Sequence, residues 1–406
     1  MSQPTEQENQ MTSPTSIGSV ACLALSAALG QQQVAFPGST AYNVSIASYF
    51  SVQQASVKPA CIVTPQTVQD VSIAVKTLFQ LHEDGQDVLF AIRSGGHTSW
   101  AGASDIQDGP VIDLRSLNTV ELSPSGSTVS VGAGASWGDI YEILDPLGLS
   151  VNGGRAYGVG NVIGEFIKFN SADTYDDYAS VITTFAYTQA RGLAVISNLL
   201  AYTKEVEGTP SPFVGFSAVP SIYNASDVTN MTGITKATEA LNPSGLRNIN
   251  LATTLVSTTP VIKAAYEKWN ASYPAIKDVP NIIFCLVLEP LPPSIYKRHA
   301  ATNALGLANR TEPLVVALLS VSWTNASDDN LVNSISQALL VDINAAAKEL
   351  GGSDPYIFAN YADKNQEVIA SYGAESVRKL RAVRQEVDPK GFFTYQVPGG
   401  YKIPNE

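Results

Sequence analysis

The sequence predicts an α+β protein built in two parts, and three observations carry that expectation. A strand–helix–strand order opens the chain, with Cys61-Ile62-Val63, a helical repeat from Val68, and the apolar run Val88 to Ile92. Short strands separated by turns follow from Pro110. Beyond residue 161, longer strand patterns alternate with helices, which sums to an antiparallel sheet backed by helices. With 406 residues and 45% apolar content, the chain can bury two sizeable cores.

Each element has its own signal. Ile17 to Leu29 reads as a helix that Gly30 ends. Pro37-Gly38 marks a turn, and Pro59 to Val63 reads as a short strand closing at Pro65. Thr67 with Asp70 forms a capping box for a helix whose Val68, Val71, Val75, Leu78 and His82 fall at helical spacing, and Gly85 stops it. Val111 to Leu114, Val120 to Leu122 and Thr128 to Val131 are strands, with Pro124-Ser125-Gly126 as the turn between the last two. Gly132 to Ala135 leads to a helix from Trp137 to Leu144. Strands are expected at Val181 to Tyr187, Leu193 to Tyr202, Ile249 to Val256, Ile282 to Leu288 and Leu314 to Trp323. Long helices are expected over Pro260 to Asn270 and Asn330 to Leu350.

Composition narrows the function. The net charge is −12 and only 15% of residues are charged. No basic stripe is present, so nucleic acid is not an expected partner. No apolar run approaches the roughly 20 residues of a spanning helix, so no membrane partner and a soluble protein are expected. His82, His97 and His299 lack paired ligand spacing and no Cys-x-x-Cys occurs, so no metal is expected. Neither a phosphate-binding Walker loop nor a Gly-x-Ser-x-Gly elbow is found.

The stretch around which the chain is organised is Arg93-Ser94-Gly95-Gly96-His97, after the Val88 to Ile92 run. Adjacent glycines let backbone N–H groups approach a ligand closely, a nest suited to phosphate, and Arg93 is placed to add charge. A tight turn with a surface His is the plain reading of such a loop. Gly102 follows within the same segment.

This motif resembles the signature of fungal FAD-linked oxidases with the vanillyl-alcohol-oxidase, or PCMH-type, flavin domain. The resemblance implies FAD as cofactor, carried covalently by the residue at His97. Val131, Gly134, Trp137 and Ile140 match a pattern that follows the His loop in that family. The loop Gly153 to Gly160 resembles one beside the pyrophosphate and the flavin ring, which makes Gly154, Gly158 and Gly160 cofactor candidates with Arg93, Ser94, Gly95, Gly96, His97 and Gly102. It holds Ala156 and Tyr157 and no Cys for a second covalent bond, so His97 alone would attach the flavin. After Gly160 the resemblance breaks. The family continues with further strands and a Gly-Gly-Gly-Asn-Phe-Gly type motif, whereas this chain passes directly to Glu165 to Asn170. The two-lobed flavin domain is therefore expected to be truncated, through a splice variant, a mispredicted gene or a degenerating copy.

Asp354 to Asp363 resembles the C-terminal berberine-bridge-enzyme-like region, in which an Asn-Tyr pair lies near the flavin. Asn360 and Tyr361 match, and the preceding family tyrosine is replaced by Phe358, which can neither donate nor accept a proton. Tyr361 and Tyr356 are the catalytic candidates for substrate deprotonation, which requires a phenol pKa lowered by neighbours. Packing of a returning strand is the competing account of these aromatics.

The resulting expectation is an N-terminal extension over 1–55, an incomplete FAD domain over 56–160, a substrate cap over 161–345 and a berberine-bridge-like segment over 346–406. The expected activity is hydride removal from an alcohol, a sugar or a secondary-metabolite intermediate, with O₂ as electron acceptor. The alternative is a flavin-free, inactive glycoprotein or a defective variant. Sequons at Asn43, Asn224, Asn230, Asn270, Asn309 and Asn325 lean towards secretion. Residues 1–16 carry Glu6 and Glu8 and no Lys or Arg, so a signal peptide is expected to be absent from this version of the chain. Spacing allows three pairings among Cys22, Cys61 and Cys285. Cys285 lies in an apolar run suited to a buried free thiol, and the resemblance also favours Cys22 with Cys61.

Overall fold

The computed structural model describes residues 17–151, 162–171, 175–239 and 243–404. Its first sheet contains β1 (Val34–Ala35), β2 (Cys61–Val63), β3 (Ala91–Arg93) and β4 (Pro110–Asp113) in the order β1-β2-β4-β3. β4 runs parallel to both β2 and β3, and β1 is antiparallel to β2. The parallel pairs need crossovers, and the helix Val68–Glu83 supplies the one after β2. Its Thr67–Asp70 capping box is formed, and Gly85 at φ +84° lets the chain leave the helix. Helix Ile17–Leu29 buries Ala21, Cys22 and Leu25 against the same core, where Cys22 bonds Cys61.

The apolar run Val88 to Ile92 forms a shorter strand than its composition suggests. Phe90 N–H donates to Gln396 O at 2.9 Å and Val88 N–H to Gln86 O at 3.0 Å, so only Ala91–Arg93 joins the sheet. Backbone pairing with a distant segment is invisible to local periodicity.

β5 (Val120–Leu122) and β6 (Val129–Val131) form an isolated hairpin, followed by helix Trp137–Leu144 with its own capping box, Ser136 to Asp139. This part is thinly covered: Leu122, Val131, Trp137, Ile143 and Leu147 are all exposed.

The second sheet has the order β12-β9-β11-β10-β7-β8 and is antiparallel throughout. Its strands are β7 (Ala179–Thr188), β8 (Leu193–Tyr202), β9 (Arg247–Val256), β10 (Ile283–Leu291), β11 (Leu314–Trp323) and β12 (Ser353–Asp354). Alternation along β10 buries Phe284, Leu286 and Leu288 on one face, with Val315, Ala317 and Leu319 of β11. Helices Thr259–Ser272 and Asp329–Glu349 cover that face through Ile262, Trp269, Leu339 and Ile343. The opposite face carries Glu289, Val287 and Cys285, directly across from Val316, Leu318 and Ser320.

A strap joins the two sheets. Ser51 bridges Leu246, Val52 N–H donates to Leu246 O at 3.1 Å, and Gly245 N–H donates to Phe50 O at 3.0 Å. Gln53 and Asn248 exchange two further bonds, at 2.8 and 3.2 Å. Among the described residues, no helix is long and apolar enough to cross a membrane, and no His, Cys, Asp or Glu cluster could hold a metal.

Candidate functional site

The glycine loop after β3 rests on a buried charged cluster. The Arg93 side chain is fully buried, lies 3.6 Å from the Tyr49 ring centroid, and donates to Ser45 O at 2.8 Å and Ser48 Oγ at 2.9 Å. Asp113 sits beside it at 3.9 Å and is gripped by Arg115 at 2.6 Å. Burial opposes ionisation of Asp113, but bonds from Arg115 and Ser45 hold its carboxyl below the usual range. Arg93 is therefore a foundation of the loop. Its expected role as a phosphate contact is corrected, because its charge is directed inward to Tyr49, Ser45 and Asp113.

The loop has an inward and an outward side. Gln54, fully buried, crosses beneath it. With its amide turned so that nitrogen meets the carbonyls, Gln54 donates to Gly96 O and Thr98 O, 3.0 Å each, and accepts from Ser104 Oγ at 3.0 Å. Phe50 N–H also donates to Gly96 O, at 3.3 Å. The carbonyls thus point in, and the N–H groups of Gly95, Gly96, His97 and Thr98 have no acceptor among the described residues. Gly96 adopts φ +70°, and a Cβ there would meet Arg93 Nε at 2.8 Å, so only glycine permits this fold-back. Gly95 faces open space. His97 is exposed and its ring stacks on Phe50, with centroids 4.1 Å apart and planes at 21°.

Ser94 donates its hydroxyl to Ala133 O at 2.6 Å, which docks this loop onto the second glycine loop. In that second loop Gly132 and Gly134 serve close packing, since a Cβ on either would approach a carbonyl of Leu117 or Leu114 to about 2 Å. Gly102, at φ +91°, donates to Asp105 Oδ1 at 2.5 Å. Asp105 is almost fully buried and its Oδ2 has no partner among the described residues. Burial pushes its carboxyl up to about 6, against the bonds that favour the charge.

The C-terminal candidates form the other side of the site. Tyr361 donates its phenol to Glu289 Oε1 at 2.8 Å, on the sheet face away from the helices. Burial first, and then the Glu289 charge, push the Tyr361 phenol well above its ordinary value. Tyr356 is buried, stacked against Tyr372 at 5.8 Å, and burial raises its phenol as well. Desolvation thus disfavours phenolate at both positions, whereas a phenol base requires a lowered value. Asn360 is exposed on the short 3₁₀ turn Ala359–Tyr361.

One chain of contacts links the halves. Trp100, three residues after His97, packs on Tyr401 with ring centroids 5.5 Å apart. Tyr401 donates to Ala362 O at 2.6 Å, next to Tyr361. A Cβ on Gly399 would lie 2.0 Å from Gly102 O, so the C-terminal segment is pressed against the His loop.

The structure holds Ser94, Gly95, Gly96, His97 and Gly102 in one loop, which Trp100 and Tyr401 link to the segment that carries Asn360 and Tyr361. It withdraws Arg93 and Tyr356 into packing. Gly154, Gly158 and Gly160 lie outside the described residues. Sequence reasoning missed Phe50, Gln54, Asp105 and Glu289, which carry no local motif; Glu289 alone had a signal, as a carboxylate closing an otherwise apolar strand run. The unbonded amides, the open space at Gly95 and the exposed imidazole fit a flavin dinucleotide held at this loop.

Comparison with known proteins agrees. Residues 59–192 match the FAD binding domain family. The chain is 29% identical to the FAD-dependent monooxygenase sdcF of Emericella nidulans, over 95% of this chain and 99% of that protein. It is 52% identical to oligopeptidase PhomG' of Diaporthe leptostromiformis over 94% of this chain, and spans only 37% of that relative's length. The two alignments run to 481 and 450 positions against a chain of 406, so each relative contributes several dozen positions that this chain lacks. In fold the chain is similar to wild-type BBE-like 1 of Physcomitrella patens, with a TM-score of 0.64, 15% identity, and coverage of 94% of this chain and 99% of that one.

Proposed function

We propose that this chain is an FAD-linked oxidoreductase, a reading supported by the FAD binding domain match over residues 59–192 and the 29% identity to an FAD-dependent monooxygenase, and that it removes a hydride from a small-molecule C–H donor and passes the electrons to O₂. Alcohols, sugars and secondary-metabolite intermediates are the donor classes of this reading. The bound flavin supplies the two-electron chemistry. The amides from Gly95 to Thr98 bind it, and His97 is the point of attachment. Tyr361 meets the substrate hydroxyl as a neutral phenol and hands a proton to Glu289, whose carboxylate accepts it. Glu289 is thus the base and Tyr361 the relay, because desolvation keeps the phenol protonated.

The observation that carries this reading is the joining of the His97 loop to the Glu289–Tyr361 pair through Trp100 and Tyr401. The identity to a protein named oligopeptidase favours a second reading of the substrate, in which the oxidised C–H belongs to a peptide. The Cys22–Cys61 bond supports passage through an oxidising compartment, and secretion is part of the proposal.

The test is a visible spectrum of the purified protein before and after acid precipitation, with H₂O₂ measured during turnover. Yellow colour that stays with the pellet and is lost from it in His97→Ala supports the reading. A colourless folded protein that takes up no added FAD overturns it.

A further inference from the structure

We propose that Phe50 is a positioning residue for His97, holding the imidazole plane at the angle from which its nitrogen meets the flavin. This rests on the reading of His97 as the attachment point.

Three observations carry the proposal. The Phe50 and His97 rings are nearly parallel at 4.1 Å, so one imidazole face is covered while His97 as a whole stays exposed. Phe50 is itself fixed on both sides, donating its N–H to Gly96 O at 3.3 Å and accepting Gly245 N–H at 3.0 Å. Gln54, on the same strap, holds the carbonyls that flank His97, Gly96 O and Thr98 O. An exposed histidine otherwise turns freely about two side-chain torsions. A ring stacked on an anchored neighbour keeps one plane, and reactions between held groups are highly sensitive to such orientation. Phe50 touches no reacting atom and acts through His97.

The step it serves balances as follows. Attachment replaces one imidazole N–H and one flavin methyl C–H with a single N–C bond. The two protons and two electrons released leave on O₂ as H₂O₂.

The experiment uses full-length apoprotein from riboflavin-starved cells, given FAD in air. Acid-stable flavin fluorescence is followed with time and total bound FAD is measured in parallel. Phe50→Leu keeps an apolar side chain without a ring and should slow attachment about tenfold or more, with total FAD binding within about twofold of wild type. Phe50→Tyr restores the stack and should restore the rate. Attachment by Phe50→Leu at the wild-type rate overturns the proposal. Wild-type protein that binds FAD but never holds it against acid defeats the reading of His97 instead. Histidine ring NMR of the apoprotein then decides the stack alone. A ring-current shift at His97 that Phe50→Leu abolishes supports the placement, and its absence from wild type overturns it.

Discussion

The Tyr361 phenol donates to Glu289 Oε1 at 2.8 Å, joining the short turn of the C-terminal segment to the open face of the second sheet. In the proposed reaction this bond sets the direction in which the proton moves. Burial and the neighbouring carboxylate both favour the protonated phenol, which suits a relay better than a base.

Tyr361→Phe and Glu289→Gln should each lower kcat about a hundredfold and leave bound FAD unchanged. Steady-state kinetics with flavin quantified per protein checks this. Wild-type and Tyr361→Phe pH–rate profiles should share one shape from about pH 6 to about pH 10, since Tyr361 does not ionise there. A Tyr361-dependent alkaline limb would restore the phenolate mechanism.

Asp105 should make the protein less stable as pH rises. Its folded value of about 6 lies above the ordinary 3.8, so the folded state binds the proton more tightly than the unfolded chain. Stability from this group is present below about pH 4 and is lost between about 4 and about 6, to the extent of about 2 kcal/mol. Asp105→Asn retains an acceptor for Gly102 N–H and should raise stability at neutral pH by a similar amount. Urea unfolding at about pH 4 and about pH 7 measures both effects.

Arg93→Met should cost about 3 kcal/mol, because it removes the bonds to Ser45 and Ser48 and the cation over Tyr49. Asp113 keeps Arg115, which limits the loss. Thermal unfolding of the variant reads the change. An unaltered melt combined with lost FAD would place the guanidinium at the cofactor instead.

Replacing Cys22 and Cys61 by serine opens a cross-link spanning a sequence separation of 39, and chain entropy then predicts a loss of about 4 kcal/mol. Denaturant melts of the variant and the oxidised wild type provide the comparison.

Much of the scaffold was legible in the sequence. Helix Ile17–Leu29, helix Trp137–Leu144 and strands Leu193–Tyr202 and Leu314–Trp323 end where their patterns end. Periodicity and caps are local properties, set by neighbours a few residues away. The Gly-Gly-His loop was legible for the same reason: only glycine tolerates φ +70° against the Arg93 side chain.

Roles that depend on partners far along the chain were set by tertiary structure alone. Arg93 lies beside a glycine nest in sequence, yet its charge is spent on Ser45, Tyr49 and Asp113, elements the sequence does not place next to it. Phe50 meets His97 across 47 positions and Tyr361 meets Glu289 across 72. Burial follows from those meetings, and burial reverses the expected chemistry of Tyr361 by raising a pKa that a phenol base needs lowered. Residue types and backbone freedom are written into the chain. Desolvation and orientation come into being only when distant segments close on one another.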